Sequence, residues 1–322
     1  MNFEVTANEA GQRLDKFLRK LLKDVPLSAI FKALRKGDVR INGKKQKENY
    51  PLCIGDKIEI KYITSKRKTE DNFIRVDSSG LKIVFEDQNL LVVEKWPGIL
   101  VHPDQKKKEA TLNDYVLSYL NEKGDYLPEN EITFTPAPCN RLDRNTAGIV
   151  MFGKNFEALR LLNETIREDN VRKFYNALVQ GRLKDGLYKA YIVKNEQTNK
   201  SKIYDSKVEG SKEISMIVNT IQTNRAFSFV EIELITGRSH QIRAHMAHLG
   251  CPLIGDNKYG DKKLNSFFEN KFGLNYQYLY AYKLLFGKMS SKLEYISGKT
   301  IITALPPIFK KIKQDVFKVT FW

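Results

Sequence analysis

The sequence predicts an α+β fold in two parts: a small basic N-terminal module and a larger domain built on a largely antiparallel, mixed sheet. Helix and strand signals follow one another in a mixed order, which is typical of an α+β protein. The 322 residues are enough for two domains. A polar, aperiodic segment at residues 63–80 predicts a linker between residues 1–62 and residues 81–322.

The N-terminal module is expected to begin with two helices and to continue with strands. Apolar residues recur at helical spacing across residues 14–22, which predicts an amphipathic helix. A second helix is expected from Ser28, as its N-cap, to Lys36, with Gly37 ending it. The strand signals are Val39–Ile41, the turn Asn42-Gly43, and the alternating Ile58, Ile60 and Tyr62.

The charge of the chain predicts a polyanionic partner. Lys and Arg number 54 against 38 Asp and Glu, a net charge of +16, and residues 13–62 alone hold 14 basic and 6 acidic side chains, a net of +8. Such a surplus indicates nucleic acid or an anionic membrane surface. Because no stretch approaches the ~18 consecutive apolar residues that span a bilayer, we favour nucleic acid.

The ends and cysteines of the chain predict a cytoplasmic protein. Residues 1–5 lack the basic start and apolar run of a signal peptide. The three cysteines, Cys53, Cys139 and Cys251, are too widely spaced to form a disulfide framework. A reducing compartment is therefore expected.

The larger domain shows strand signals from Leu81 onward, with helical segments between them. Alternating apolar residues predict the strands and amphipathic spacing predicts the helices. The predicted strands are 82–85, 90–93, 172–180, 201–208, 214–220 and 227–235, and the predicted helices are 111–121 and 155–168.

One short stretch is the strongest candidate for chemistry. Arg141-Leu142-Asp143 leads through Gly148 into the apolar run 149–152. A carboxylate at such an edge can face a substrate while the strand behind it is anchored in the core. The same pattern also suits an ordinary turn or capping aspartate.

Four sequence blocks, in order, resemble the motifs of the RluA-type pseudouridine synthases. The motif around Asp143 has Asn140 where the family has His and Ala147 where it has Ser. Any one block is a weak signal, but four in order are specific, and together they cover roughly residues 81–310. The other three blocks are Lys95–Pro103, interrupted by Trp96, then Lys173–Val179, and Thr236–His245 continuing to Pro252–Asp256.

The N-terminal module resembles the small RNA-binding domain named after ribosomal protein S4. Its helix-helix-strand-turn-strand order matches, and its outer faces are basic. The alternative is a solvated basic face on a generic α+β module. The matching residues are Arg13–Leu18, Gly37–Gly43 and Gly55–Ile58.

The resemblance implies that the protein isomerises uridine to pseudouridine after flipping the base out of the RNA. It makes Asp143 the catalytic carboxylate, either as a nucleophile at the sugar carbon or as the base that removes a sugar proton. Arg243 would pair with Asp143, and Tyr175 would stack on the target base. Arg141 would fill the gap left by the flipped uridine or contact a phosphate.

Further RNA-contacting residues are expected around these groups and on the basic module. No cofactor or metal is implied, and a monomer would suffice. The most favoured substrate is 23S, large-subunit rRNA, although relatives also act on tRNA. The expected RNA contacts are Asn140, Arg144, Thr146, His102, Arg238, His240, Gln241, Arg13, Lys16, Arg40 and Lys44.

Other classes of protein fit less well. The spacing of His240, His245 and His248 matches no strong zinc pattern. Residues 255–260 have phosphate-loop spacing, but Asp261 stands where Lys is required. A methyltransferase would need a Gly-x-Gly cluster, which is absent. The remaining alternative is a non-catalytic rRNA-binding or assembly protein of the same fold.

Overall fold

The computed structural model describes residues 1–63, 73–103, 109–129, 131 and 133–318. It confirms the α+β class: a four-stranded antiparallel sheet lies in the N-terminal part and a mixed sheet of 11 strands in the rest. Each sheet has its own hydrophobic core. Among the described residues, no helix is long and apolar enough to cross a membrane.

The N-terminal module packs its two helices on its small sheet. Helix α1 buries Leu14, Phe17, Leu18 and Leu21, the periodic positions that predicted it. The strands pair in the order β1-β4-β2-β3. The elements are β1 (Asn2–Glu4), α1 (Leu14–Leu21), α2 (Leu27–Lys36), β2 (Val39–Ile41), β3 (Lys44–Lys45) and β4 (Lys57–Ile60).

Turn chemistry in this module was partly predicted. Gly37 ends α2 with a φ of 79°, and the turn after β2 has positive φ at Asn42 and Gly43, both as expected. The prediction of Ser28 as N-cap was wrong, because Pro26 occupies that position and its carbonyl accepts the first N–H groups of the helix. Tyr62 was wrongly placed in a strand: its φ of 58° is left-handed, and its side chain is 90% exposed.

The larger domain is one curved run of strands with helices on its faces. The strands pair in the order β11-β10-β12-β13-β9-β14-β8-β6-β5, with β15 beside β14 and β7 beside β8. Its elements are β5 (Lys82–Glu86), β6 (Leu90–Lys95), α3 (Leu112–Glu122), β7 (Ala137–Pro138), β8 (Ala147–Gly153), α4 (Phe156–Arg167), β9 (Val171–Gln180), β10 (Gly186–Asn195), β11 (Lys200–Tyr204), β12 (Lys212–Thr223), β13 (Phe227–Leu234), α5 (Gln241–His248), α6 (Lys262–Phe272), β14 (Leu279–Phe286), a 3-10 helix (Ser291–Ile296), β15 (Thr300–Ile302) and α7 (Pro307–Val316).

The predicted strands and helices of this domain are present with small shifts at their ends. The strand predicted at 201–208 was too long, since β11 ends at Tyr204 and a bend follows. The elements of this domain that were not predicted are β7, β10, β14, β15, the 3-10 helix and helices α5 to α7.

The central strands meet at the turn that carries Asp143. All seven residues of β8 are buried, and β8 pairs in parallel with β14. Gly148 has a φ of 124°, and a Cβ there would lie 2.2 Å from the carbonyl oxygen of Ala281. Only glycine lets the two backbones approach so closely. The turn before β8 is therefore held against the middle of the sheet.

The end of the predicted linker contacts α3. Residues 64–72 lie outside the described residues, but Phe73 is buried in the large core. The backbone N–H of Ile74 donates to Asp114 at 2.9 Å, and that of Val76 donates to Ser118 at 3.1 Å. Residues 73–78 thus belong structurally to the larger domain.

Candidate active site

A single pocket gathers most of the residues that the motifs predicted. It lies where the Asp143 turn, strand β9 and the start of helix α5 meet. The predicted residues that line it are Arg141, Asp143, Thr146, Tyr175, Arg238, His240, Gln241 and Arg243.

Asp143 and Arg243 form an ion pair inside this pocket. Nη1 of Arg243 donates to Oδ2 of Asp143 at 3.0 Å. The side chain of Asp143 is 18% exposed and that of Arg243 is 8% exposed. Arg243 also makes a bidentate pair with the fully buried Asp256, with N–O distances of 2.7 and 2.9 Å. The guanidinium is therefore fixed by Asp256 and presents its remaining edge to Asp143.

Asp256 is a buried anion with several donors. Burial alone would raise its pKa, but the hydrogen bonds and charge of Arg243 lower it. The backbone N–H groups of Lys258 and Tyr259 also donate to its Oδ1, at 2.9 and 3.1 Å. It belongs to the last motif block, yet no specific role for it followed from the sequence.

Tyr175 lies on β9, a central strand between β13 and β14. Burial raises the pKa of its hydroxyl, and the charge of Asp143 raises it further. The phenol is therefore neutral at physiological pH. Its side chain lines the same pocket as Asp143, within reach of a ligand held there.

Lys95 is a fully buried lysine to which the sequence assigned no role. Its Nζ donates to the carbonyl oxygens of Trp96, Ile99 and Arg144 at 2.8–3.0 Å. Burial lowers its pKa to about 7, against the attraction of Asp143. Its hydrogen bond to Arg144 joins the first motif block to the Asp143 turn. The sequence feature that could have identified Lys95 is its position at the start of that block.

Some predicted RNA contacts are used within the protein. Asn140 bonds the backbone of β8, donating to Ile149 O at 3.2 Å and accepting from Met151 N at 2.8 Å. Gln241 accepts from Thr236 and donates to Ser215 O at 3.1 Å. The hydroxyl of Thr146 is buried and accepts from Gln277 at 2.9 Å.

Arg144 and His102 lie outside the lining of the pocket. Arg144 pairs with Glu109 at 3.0 Å and donates to Gly98 O. His102 is exposed at the protein surface.

The basic residues predicted on the N-terminal module are all exposed. Arg13 pairs with Asp15 at 3.0 Å and lines a surface groove that also contains Arg35, Lys45 and Lys47. The others are Lys16, Arg40 and Lys44. Within the described residues, no group of three or more His, Cys, Asp or Glu side chains is placed to hold a metal ion.

Comparison with known proteins identifies a family for each of the two parts of the chain. A family model described as RNA pseudouridylate synthase matches residues 89–248, and a model of the S4 domain matches residues 12–58. The ribosomal large subunit pseudouridine synthase C of Escherichia coli K12 is 33% identical over 290 residues, covering 88% of this chain and 87% of the relative. The protein of that name from Vibrio parahaemolyticus is 32% identical over equal coverage.

An uncharacterised RNA pseudouridine synthase of Mycoplasma genitalium is 32% identical over 295 residues, covering 90% of each chain. The solved structure of human RNA pseudouridylate synthase domain containing 4 superposes with a TM-score of 0.57 at 22% identity, covering 71% of this chain and 90% of that one. At that identity the match supports the fold alone.

Fold, motifs and relatives define an isomerase that acts on RNA, which excludes the non-catalytic alternative. The chain belongs to the RluA-type RNA pseudouridine synthases and carries an N-terminal S4 domain.

Proposed function

We propose that this enzyme converts specific uridines of large-subunit rRNA to pseudouridine, with Asp143 as the catalytic carboxylate. The observation that carries the proposal is the Asp143–Arg243 pair at 3.0 Å, in a pocket that also contains Tyr175. The relatives from Escherichia coli and Vibrio parahaemolyticus are named as pseudouridine synthases of the ribosomal large subunit.

Asp143 suits the first step because its carboxylate is paired with a guanidinium and partly exposed to the pocket. It reacts at the ribose, either as a nucleophile at the sugar carbon or by removing a sugar proton. Arg243 stabilises the anion and holds it in one orientation, since a guanidinium fixed on one side by Asp256 cannot follow a moving carboxylate.

Tyr175 contributes its ring and its neutral hydroxyl. An aromatic ring can stack on any flipped base, so the Tyr175 ring can hold the uracil while the glycosidic bond is broken. Its strand is paired on both sides and buried, which gives the ring a rigid support.

Arg141 supports base flipping from the rim of the pocket. It is exposed, two residues before Asp143, and lines the entrance. A cationic side chain in that place can occupy the gap in the RNA stack and contact the adjacent phosphates, which offsets the few kcal/mol that extrusion costs. Arg238 also lines this pocket.

The S4 domain supplies affinity for the RNA backbone through exposed cations. Arg13, Lys16, Arg40 and Lys44 provide phosphate contacts that are independent of sequence. We further propose that the enzyme acts as a monomer and needs no cofactor.

The substrate is tested by incubating the purified enzyme with matched concentrations of unmodified large-subunit rRNA and unmodified tRNA. Pseudouridine is then mapped by chemical labelling and primer extension. We expect stoichiometric modification at a few rRNA uridines and at least tenfold slower reaction on tRNA. Efficient modification of tRNA with none of rRNA would assign the enzyme to the other substrate class.

A further inference from the structure

His240 stands beside Asp143 and does not contact it directly. Its Nε2 lies 4.0 Å from Oδ2 of Asp143, the same oxygen that accepts the hydrogen bond from Arg243. Its side chain is only 11% exposed. Among the described residues, Oδ1 of Asp143 accepts no hydrogen bond, so the two carboxylate oxygens have different surroundings.

The backbone of His240 is held in an uncommon conformation. Its φ of 56° and ψ of 17° are left-handed, a region that costs free energy for a residue with a Cβ. The preceding carbonyl of Ser239 accepts a hydrogen bond from Ser201 at 3.0 Å, and the carbonyl of His240 itself accepts from Ala244 in the first turn of α5. The surrounding contacts thus impose this conformation.

Tyr259 determines which nitrogen of His240 carries the proton. The Tyr259 oxygen accepts the N–H of Ser201 at 2.7 Å and lies 2.9 Å from Nδ1 of His240. Nδ1 of His240 is placed to accept the tyrosine O–H, and the side chain of Ser201 also lies within reach of the phenol. Burial raises the pKa of Tyr259 and lowers the pKa of His240, so the phenol and the imidazole are both neutral. When the tyrosine O–H donates to Nδ1, the hydrogen of the neutral imidazole is on Nε2.

These contacts close a ring around the carboxylate. The carboxylate of Asp256 accepts hydrogen bonds from the guanidinium of Arg243 and from the backbone N–H of Tyr259, and the Tyr259 hydroxyl contacts Nδ1 of His240. Nη1 of Arg243 and Nε2 of His240 both face Oδ2 of Asp143. The guanidinium of Arg243 also lies 5.4 Å from the centre of the Tyr259 ring. The buried carboxylate of Asp256 thus orients Arg243 directly and His240 through Tyr259.

We infer that His240 is a positioning residue that donates its Nε2–H to Oδ2 of Asp143 when substrate closes the pocket, leaving Oδ1 as the oxygen that reacts at the ribose. Hydrogen bonds of this kind are often long in the unliganded enzyme and shorten in the substrate complex. The inference rests on the proposed role of Asp143, which it refines to a single atom.

The first test compares His240→Leu with His240→Gln at saturating RNA. Leu and Gln are similar in size, and both must adopt the left-handed backbone of His240. Only Gln retains an N–H donor in the position of Nε2. We expect His240→Leu to lower kcat about 10- to 100-fold with KM changed less than about threefold, because the bond removed is to a charged group. His240→Gln should keep roughly a third or more of kcat.

Either of two results would overturn the inference: wild-type kcat in His240→Leu, or equal reductions in the two variants. Equal reductions would mean that the ring acts by packing alone. Asp143→Asn is assayed alongside. If it is inactive while His240→Leu is fully active, only the role of His240 fails; if Asp143→Asn is active, the proposed function itself fails.

The second test is spectroscopic and does not depend on activity. Long-range ¹H–¹⁵N correlation distinguishes the tautomers of the four histidines, and the signal missing from His240→Gln identifies His240. We expect an Nε2–H tautomer near neutral pH, and a larger share of the Nδ1–H form in Tyr259→Phe. An imidazolium or an Nδ1–H tautomer in the wild-type protein would contradict the inference.

Discussion

Asp256 decides how Arg243 is used, although the chemistry is proposed for Asp143. Its two oxygens occupy Nε and Nη2 of the guanidinium and leave Nη1 for Asp143. The family resemblance pointed to the Asp143–Arg243 pair, 100 residues apart in the chain. The choice of Asp256 as the fixing anion depends on tertiary packing, so it could not be read from the motif.

His245 belongs to the last motif block but does not line the pocket. It is 1% exposed, and among the described residues its Nδ1 has no hydrogen-bond partner. Burial lowers its pKa to about 4; the charge of His248 lowers it further, while Asp205 opposes the shift. The ring packs edge-on against Tyr188.

We predict that His245 makes the protein less stable in mild acid. Between pH 6.5 and about 4 the unfolded chain binds a proton at His245 that the folded chain does not, so the free energy of unfolding falls as pH falls through this window. The contribution reaches at most roughly 3 kcal/mol. His245→Leu should therefore show a weaker pH dependence in urea unfolding at pH 7 and pH 4.5. The same slope in both proteins would exclude a neutral, buried His245.

At the scale of secondary-structure elements, the sequence predicted the helices, strands and turns that are specified by neighbouring residues in the chain. Helix α1 follows from its apolar period, and the Asn42-Gly43 turn from two residues that tolerate positive φ. Strand β14 was missed because its eight residues, Leu279–Phe286, are seven apolar or aromatic residues and one lysine, a run that suits a strand or a buried helix equally well. Its parallel pairing with β8 joins segments more than 130 residues apart and leaves no local signal.

Gly148 is where this non-local pairing can be tested. Gly148→Ala would place a Cβ 2.2 Å from the carbonyl oxygen of Ala281 at a φ of 124°. We expect the free energy of unfolding to fall by about 3 kcal/mol or more, because both backbone strain and a main-chain clash result. Activity should fall as well, since the Asp143 turn leads directly into this strand.

The matched control is Gly80→Ala. Gly80 has no positive φ, and a Cβ there meets nothing within 4 Å. Its unfolding free energy should change by less than about 0.5 kcal/mol. Equal stability of the two variants would show that β8 and β14 do not approach as described.

At the scale of the whole molecule, the positive charge is concentrated in the N-terminal module, whereas the pocket lies in the larger domain. Residues 13–62 carry +8, and the remaining residues carry the other +8 of the total. The S4 domain contacts the larger domain through Asn8, which donates to Glu131 at 2.9 Å and accepts from the N–H of Phe156 at 3.2 Å. This polar interaction joins the N-terminal module to the larger domain.

A truncated chain that begins at Phe73 tests this division. Phe73 is retained because it is buried in the larger core. The truncated protein should bind rRNA more weakly and show a shallower dependence of log affinity on log salt, by about 0.7–0.9 for each phosphate that the S4 domain would have neutralised. On short RNA at saturation it should keep much of its kcat, because the groups acting at the transition state remain. If the full-length and truncated proteins show the same slope of log affinity against log salt, the S4 domain does not contribute to RNA binding.

The central claim is that Asp143 performs the chemistry, and the most direct measurement is single-turnover pseudouridine formation by Asp143→Asn on a large-subunit rRNA fragment. The amide keeps the shape of the side chain but can act neither as a nucleophile nor as a base. Asp205→Asn, at an exposed aspartate outside the pocket, is the matched control and should react at the wild-type rate. We predict a rate about 10⁴-fold or more below wild type for Asp143→Asn with RNA affinity nearly unchanged. A rate within tenfold of wild type would contradict the account.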